Sequence, residues 1–286
     1  NNLEKENYMN IVSCIEMTPL CNWNCEYCIA GTQKGKYKDF TDKQFDDILE
    51  FILKTENPIV ISGGEPGLLG EKKLVKLFDV LINFEYPIYI NTNGTFIDIF
   101  FSRVLSILKD KYTGYQVNKL LHLITIRFHL FQNLTQDFDM NNIITNNKFP
   151  STQNLPENIK RIINRLKVIK SNNVKIENQI VFTKKDDILT IEFFIMFYTV
   201  ICNNIFRNYP LVVSPVYFSN KNKDSKDLGF NKIEILRLLK RILIYMDKFG
   251  MDKEQTIEAF KEALGEIKVK YKLHETTILW KRETNE

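Results

Sequence analysis

Cys21, Cys25 and Cys28 fall within one run of eight residues, at i, i+4 and i+7. Cysteine thiolates are the usual protein ligands of iron–sulfur clusters. A [4Fe–4S] cluster has four irons, so three thiolates leave one iron open to nitrogen and oxygen donors of a substrate or cofactor. The same triplet could instead take part in a zinc site. Zinc wants four ligands, commonly from C-x2-4-C pairs. No second cysteine pair exists in this chain, so a fourth ligand would have to be Cys14, Cys202, His122, His129 or His274. Cys14 lies inside an apolar run and reads as a small buried residue. Cys202 reads as structural too.

The rest of the composition narrows the class. Five cysteines is an odd number with three of them crowded together, which argues against a secreted disulfide framework. It favours a reduced, cytoplasmic compartment. Apolar residues make up 44% and charged residues 26% of the 286, as in an ordinary globular protein. The net charge of +4 is too small to argue for nucleic acid. The most apolar stretch, Phe193–Ile201, is too short to span a membrane. Asn1–Asn10 carries no signal-peptide pattern.

Something must position the cysteine loop, and the chain supplies a repeated strand–helix rhythm. Strands are expected at Ile11–Thr18, Pro58–Ser62, Pro87–Asn91, Leu121–His129, Val174–Phe182 and Tyr209–Phe218. Helices are expected at Thr41–Lys54, Glu71–Ile82, Ile97–Lys109, Pro156–Lys170, near Leu189–Ile201, and at Lys232–Phe249. The first helix opens on a capping box of Thr41 and Gln44; the fourth has Pro in its first turn. Six such units imply a parallel sheet with helices outside it. Eight would close a TIM barrel, so six predict an α/β fold of the partial (β/α)6 TIM-like barrel type. The expected division is a barrel core over 1–220 and a C-terminal extension over 221–286. The extension holds a further helix at Lys253–Leu264 and an alternating run, Ile267–Leu273, which reads as a protected edge strand. The polar, Asn-rich stretch Phe131–Leu155 interrupts the rhythm directly after the fourth strand. It reads as a functional loop or a surface insertion.

Strand side chains alternate between faces. In the fourth strand Ile124, Ile126 and Phe128 share one face, and Thr125, Arg127 and His129 share the other. A polar inner face would line a cavity, where Arg127 suits a carboxylate or phosphate and His129 suits hydrogen bonding or proton movement. The alternative is that the polar face is simply solvated. Glu177, Asn178 and Gln179 on the fifth strand, and Ser214 and Tyr217 on the sixth, are further candidates of the same kind.

Cys21–Cys28 resembles the CxxxCxΦC signature of the radical S-adenosylmethionine (SAM) superfamily, with Tyr27 as the aromatic residue. Gly63-Gly64-Glu65-Pro66 follows the second strand and is similar to the family's GGEP motif. Asn91-Thr92-Asn93-Gly94 closes the third strand and resembles its TNG element. Each of the last two would pass alone for a strand-ending turn; in order, at successive strand ends, they reinforce the cysteines. The likeness covers about residues 11–218 and implies a [4Fe–4S] cluster on Cys21, Cys25 and Cys28, with SAM on the open iron. SAM would be cleaved reductively to methionine and a 5′-deoxyadenosyl radical that takes hydrogen from a substrate. It implies Tyr27 beside the adenine, Gly63, Gly64 and Glu65 receiving the methionine amino group, Pro66 fixing the turn, and Asn91 and Asn93 near the ribose or lining the cavity. Many family members carry a small serine-containing strand where this chain has Arg127, Phe128 and His129. The implied partners are an electron donor such as flavodoxin or ferredoxin and a small metabolite, nucleotide or peptide substrate. A tRNA-modifying member and a non-catalytic zinc module are the alternatives. No cysteine-rich C-terminal region for extra clusters is present.

Overall fold

A computed structural model describes residues 11–23, 25, 28, 35, 37–129, 157–183, 191, 192, 195, 198, 211–215, 231–264 and 270–273. Tyr27, Cys202, Tyr217, His274 and the stretch Phe131–Leu155 lie outside them.

The strands are β1 (Ile11–Glu16), β2 (Ile59–Ser62), β3 (Ile88–Thr92), β4 (Ile124–His129), β5 (Lys175–Phe182), β6 (Leu211–Pro215) and β7 (Lys270–Leu273). Their order in the sheet is β6-β5-β4-β3-β2-β1-β7. The pairs β1–β2, β1–β7, β2–β3 and β5–β6 are parallel. Among the described residues β6 and β7 are the end strands of this order, with no ladder joining them. The strand expected within Ile267–Leu273 is β7, at the edge beside β1.

The chain divides into two compact units, Asn1–Arg127 with Val168–Lys175 and Val269–Glu286, and Phe128–Lys167 with Ile176–Lys268. In the first, α1 (Asp42–Leu53) begins at the expected capping box of Thr41 and Gln44 and buries Phe45, Ile48, Leu49 and Ile52. A 3-10 turn, Pro66–Leu69, leads into α2 (Gly70–Leu81), whose Leu74, Leu77, Phe78 and Leu81 form its inner stripe. Then α3 (Thr95–Ile99) passes through a π turn, Phe100–Val104, into α4 (Leu105–Lys111). Phe78, Phe96 and Phe100 meet here, with ring centroids 4.5–6.1 Å apart. All three are at most 1% exposed; burying each contributes about 1.5–3 kcal/mol.

One helix was not anticipated. Gly114–Leu123 forms α5, capped by Thr113 and Gln116. Leu121 lies on its buried stripe with Val117 and Leu120. It therefore belongs to a helix, and the fourth strand starts three residues later than expected, at Ile124.

The part of α6 (Glu157–Ser171) in the second unit buries Ile159, Ile162, Ile163 and Leu166. After it come α7 (Lys232–Lys248) and α8 (Glu254–Leu264). Thr256 of α8 is fully buried; its hydroxyl accepts from the Val213 N–H and donates to the Leu211 carbonyl, both at 3.2 Å, fastening α8 to β6. Among the described residues no helix is long and apolar enough to cross a membrane.

Candidate functional site

The cysteine loop leaves the end of β1, and the chain on either side of it is tied down by backbone. Gly64 N–H donates to the Thr18 carbonyl at 2.8 Å and Glu65 N–H donates to the Leu20 carbonyl at 2.7 Å. The turn after β2 is thus bonded like an extra ladder rung to the segment that leads into Cys21. Such an approach leaves no room for side chains. A Cβ on Gly64 would lie 1.9 Å from the Leu20 oxygen, and one on Gly63, whose φ is +99°, would lie 2.3 Å from Glu16 Cγ. These glycines are required first by the protein's own backbone, before any ligand. Gly64→Ala is expected to cost about 2 kcal/mol in urea unfolding, by forcing both bonds apart.

Glu65 is the centre of the arrangement. It is 2% exposed. Its Oε1 accepts from the Gly67 N–H at 3.0 Å, the Phe96 N–H at 2.9 Å and the Thr92 hydroxyl at 2.8 Å, and its Oε2 accepts from the Asn93 N–H at 2.7 Å. Burial pushes this carboxyl above its ordinary range, and the four donors offset only part of the rise. The carboxylate therefore welds the turn after β2 to the turn after β3.

The turn after β3 in its own right grips the cysteine loop. Asn93 donates through Nδ2 to Asn22 Oδ1 at 2.7 Å, while its Oδ1 accepts from the Thr95 N–H at 3.1 Å and hydroxyl at 2.9 Å. Asn22 also donates to the Thr95 hydroxyl, at 3.2 Å. The residue that follows the first cysteine is thereby fixed to the Asn91–Gly94 element.

Cys21, Cys25 and Cys28 are half-buried and form no disulfide. The Cys28 N–H donates to the Cys25 carbonyl at 3.1 Å, and the Trp23 N–H donates to Cys21 Sγ at 3.5 Å. Burial pushes the Cys21 thiol up, against the pull of the Trp23 N–H, and the nearby Glu65 carboxyl adds to the rise. A metal must then displace protons to bind. Among the described residues no three His, Cys, Asp or Glu side chains converge on one ion. Each thiolate of a [4Fe–4S] cluster binds a different iron, so the donors for a cluster need no common point. Three thiols in one braced loop fit that group in number and chemistry. Of the other zinc-ligand candidates within the described residues, His122 is exposed on α5, its Nδ1 2.8 Å from the Asn118 carbonyl, Cys14 lies on β1 and His129 on β4.

Register puts Cys14 beside Val60 and Glu16 beside Ser62, and Val60 beside Tyr89. Arg127 of β4 covers the Tyr89 ring, 4.3 Å from its centroid. Burial pushes the Cys14 thiol up, while a hydrogen bond with Ser62 and the charge of Arg127 act the other way. Asn91 donates to the Ser62 hydroxyl at 3.4 Å, and its Oδ1 is buried with no hydrogen-bond partner among the described residues. Arg127 of β4 therefore adjoins a polar strip on β1, β2 and β3. Its other face, Ile124, Ile126 and Phe128, is at most 1% exposed. Asn178 falls on the fully buried face of β5, where it donates to the Tyr198 hydroxyl at 2.6 Å, and Glu177 and Gln179 alternate with it.

The stretch of chain that holds the cysteine loop and the two strand-end turns is similar to known proteins. A profile of the Radical SAM superfamily matches residues 15–118, the span that holds all three elements. Residues 15–118 are thus similar to a radical SAM domain. An uncharacterized protein of Methanocaldococcus jannaschii, MJ0907, is 27% identical over 158 residues, which are 48% of this chain and 54% of that protein. The chain thus spans about half the length of this curated relative. Among solved structures, anSMEcpe with bound AdoMet and a Cp18Cys peptide is 15% identical, with a TM-score of 0.49 over 83% of this chain and 60% of that one. The same enzyme with AdoMet alone gives 14% and 0.48, over 83% and 61%. Reading the sequence assigned no bracing role to Thr18, Asn22, Asp39, Thr92 or Thr95, whose hydrogen bonds tie these turns and the cysteine loop together.

Proposed function

We propose that this chain holds a [4Fe–4S] cluster on Cys21, Cys25 and Cys28, cleaves SAM reductively, and abstracts hydrogen from a small polar metabolite, nucleotide or peptide. The supporting observation is the lacing of the cysteine loop to both strand-end turns through Gly64, Glu65 and Asn93. Cluster and SAM together supply a 5′-deoxyadenosyl radical; the protein's part is placement and exclusion of water.

Gly63 and Gly64, half-exposed at the end of β2, offer backbone to the amino group of SAM. Glu65 and Pro66 are buried and act by holding that turn. Asn91 offers its buried Oδ1 to a hydroxyl of the ribose or of the substrate. Asn93 spends both ends of its amide on Asn22 and Thr95, so it orients the loop. Tyr27 is assigned to the adenine by the family pattern alone. Arg127, pre-oriented on the Tyr89 ring, is the residue for a substrate carboxylate or phosphate, and His129, on the same strand, is the one to move a proton. A small acidic redox protein such as flavodoxin or ferredoxin would supply the electron.

The test is anaerobic reconstitution with iron and sulfide. The protein is expected to turn brown, to absorb broadly near about 400 nm, and with dithionite to release methionine and 5′-deoxyadenosine from SAM. Colourless protein carrying one tightly held zinc would overturn the proposal.

A further inference from the structure

Three side chains outside every motif form a relay that ends at the cysteine loop. Thr18 is 1% exposed and stands three residues before Cys21. Its hydroxyl accepts from the Leu20 N–H at 3.1 Å and donates to Asp39 Oδ1 at 2.8 Å. Asp39 Oδ2 in turn accepts from Lys73 Nζ at 2.9 Å, and Lys73 also donates to the Phe40 carbonyl at 3.2 Å. Lys73 belongs to α2, the helix that follows the Glu65 turn, and its ammonium lies 5.5 Å from the Phe45 ring of α1.

The order of bonds gives the relay a direction. Lys73 fixes the carboxylate of Asp39, Asp39 fixes the rotor of the Thr18 hydroxyl, and the hydroxyl fixes the Leu20 amide. Leu20 is the residue that hands the chain to Cys21. Its carbonyl is held from the other side by Glu65. Without the relay Thr18 and Leu20 still have their carbonyl rungs to Gly64 and Glu65, but the direction in which the chain enters the loop loosens.

We propose that Thr18 and Asp39, with Lys73 behind them, are positioning residues for the cluster: they preorganise the loop so that its thiolates keep hold of the iron. The inference rests on the cluster reading above. It assigns no contact with iron or SAM to any of the three. Partners one step behind a metal ligand typically govern metal retention by about ten- to a hundredfold.

The full chain, reconstituted anaerobically, would be compared with Thr18→Val, Thr18→Ser, Asp39→Leu, Asp39→Asn and Lys73→Met. The readouts are the rate of iron loss to a ferrous chelator, the thermal midpoint of the apo protein, and the EPR spectrum of the reduced cluster with and without SAM. Thr18→Val and Asp39→Leu are expected to lose iron at least about tenfold faster than wild type, with a broadened EPR signal. Thr18→Ser keeps the hydroxyl and is expected to restore retention to within about twofold of wild type. Asp39→Asn keeps an acceptor for Thr18 but no charge for Lys73, and should fall between, beside Lys73→Met. Wild-type iron retention in Thr18→Val and Asp39→Leu would overturn the inference, as would a Thr18→Ser variant no better than Thr18→Val. A shift of the apo midpoint with unchanged iron loss and EPR would also overturn it, by making the relay merely structural. A wild-type chain that takes up no cluster defeats the cluster reading first, and the relay's role with it.

Discussion

Replacing any one of Cys21, Cys25 and Cys28 with Ala will abolish SAM cleavage and leave reconstituted protein with little or no bound iron, while the fold survives. All three side chains are half-exposed in a loop after β1 rather than in the apolar core. Removing one sulfur therefore opens no core cavity, and the thermal midpoint of the apo protein should move by no more than a few degrees. The loss of function should nevertheless be complete. Three thiolates are already the minimum that holds a four-iron cluster with one site left for SAM, so two leave a second iron without a protein ligand. Cys14→Ala is the informative control. Its thiol lies among Ser62, Glu16 and Arg127, and its loss should leave iron content and 5′-deoxyadenosine formation close to wild type. If Cys14→Ala lost metal as the other three do, four cysteines would be acting together. The open iron, and with it the place for SAM, would disappear from the mechanism. Measuring iron, zinc and 5′-deoxyadenosine on the same four preparations separates the two outcomes.

The cysteine triplet stood out as a candidate cluster site because its three thiols lie in one stretch of chain. The capping box at Thr41 was legible for the same reason: its two halves are three residues apart. An equivalent box at Thr113 and Gln116 was present in the sequence, yet the apolar run around Leu121 drew the reading towards a strand. Short apolar runs do not distinguish a helix end from a buried strand. The braces around the loop were not legible, because they join residues far apart in sequence: Thr18 and Asp39 are 21 positions apart, Asp39 and Lys73 are 34, and Asn22 and Asn93 are 71. A single Asp, Lys or Asn on a surface-like stretch has no period and no spacing to betray it. The glycines were legible as glycines. What presses against them, the Leu20 carbonyl and Glu16, became visible only once β1 and β2 were side by side.

Glu65 illustrates the same limit and carries the second large effect. Four donors point at its buried carboxylate, three of them backbone N–H groups. Glu65→Ala would leave those donors facing a dry pocket. Each unsatisfied buried donor costs about 1–3 kcal/mol, and partial relaxation or entry of water offsets part of the sum. The expected destabilisation is about 4 kcal/mol, a large fraction of the stability of an ordinary domain. Glu65→Gln is the sharper variant. Its amide oxygen can replace Oε1, which serves three donors, but its NH2 must then face the Asn93 N–H where Oε2 accepted. One bond becomes a donor–donor clash, for a cost of about 1–3 kcal/mol. Because Asn93 is the residue that grips Asn22, the clash falls on the link between the turn after β3 and the cysteine loop. Glu65→Gln should therefore lose cluster and SAM cleavage at temperatures where it is still folded, whereas a purely global effect would remove both only on unfolding. Urea unfolding alongside iron content across the same temperature range distinguishes these. An unfolding free energy equal to wild type in Glu65→Ala would mean that the four donors find other partners, and that the carboxylate does not join the two turns.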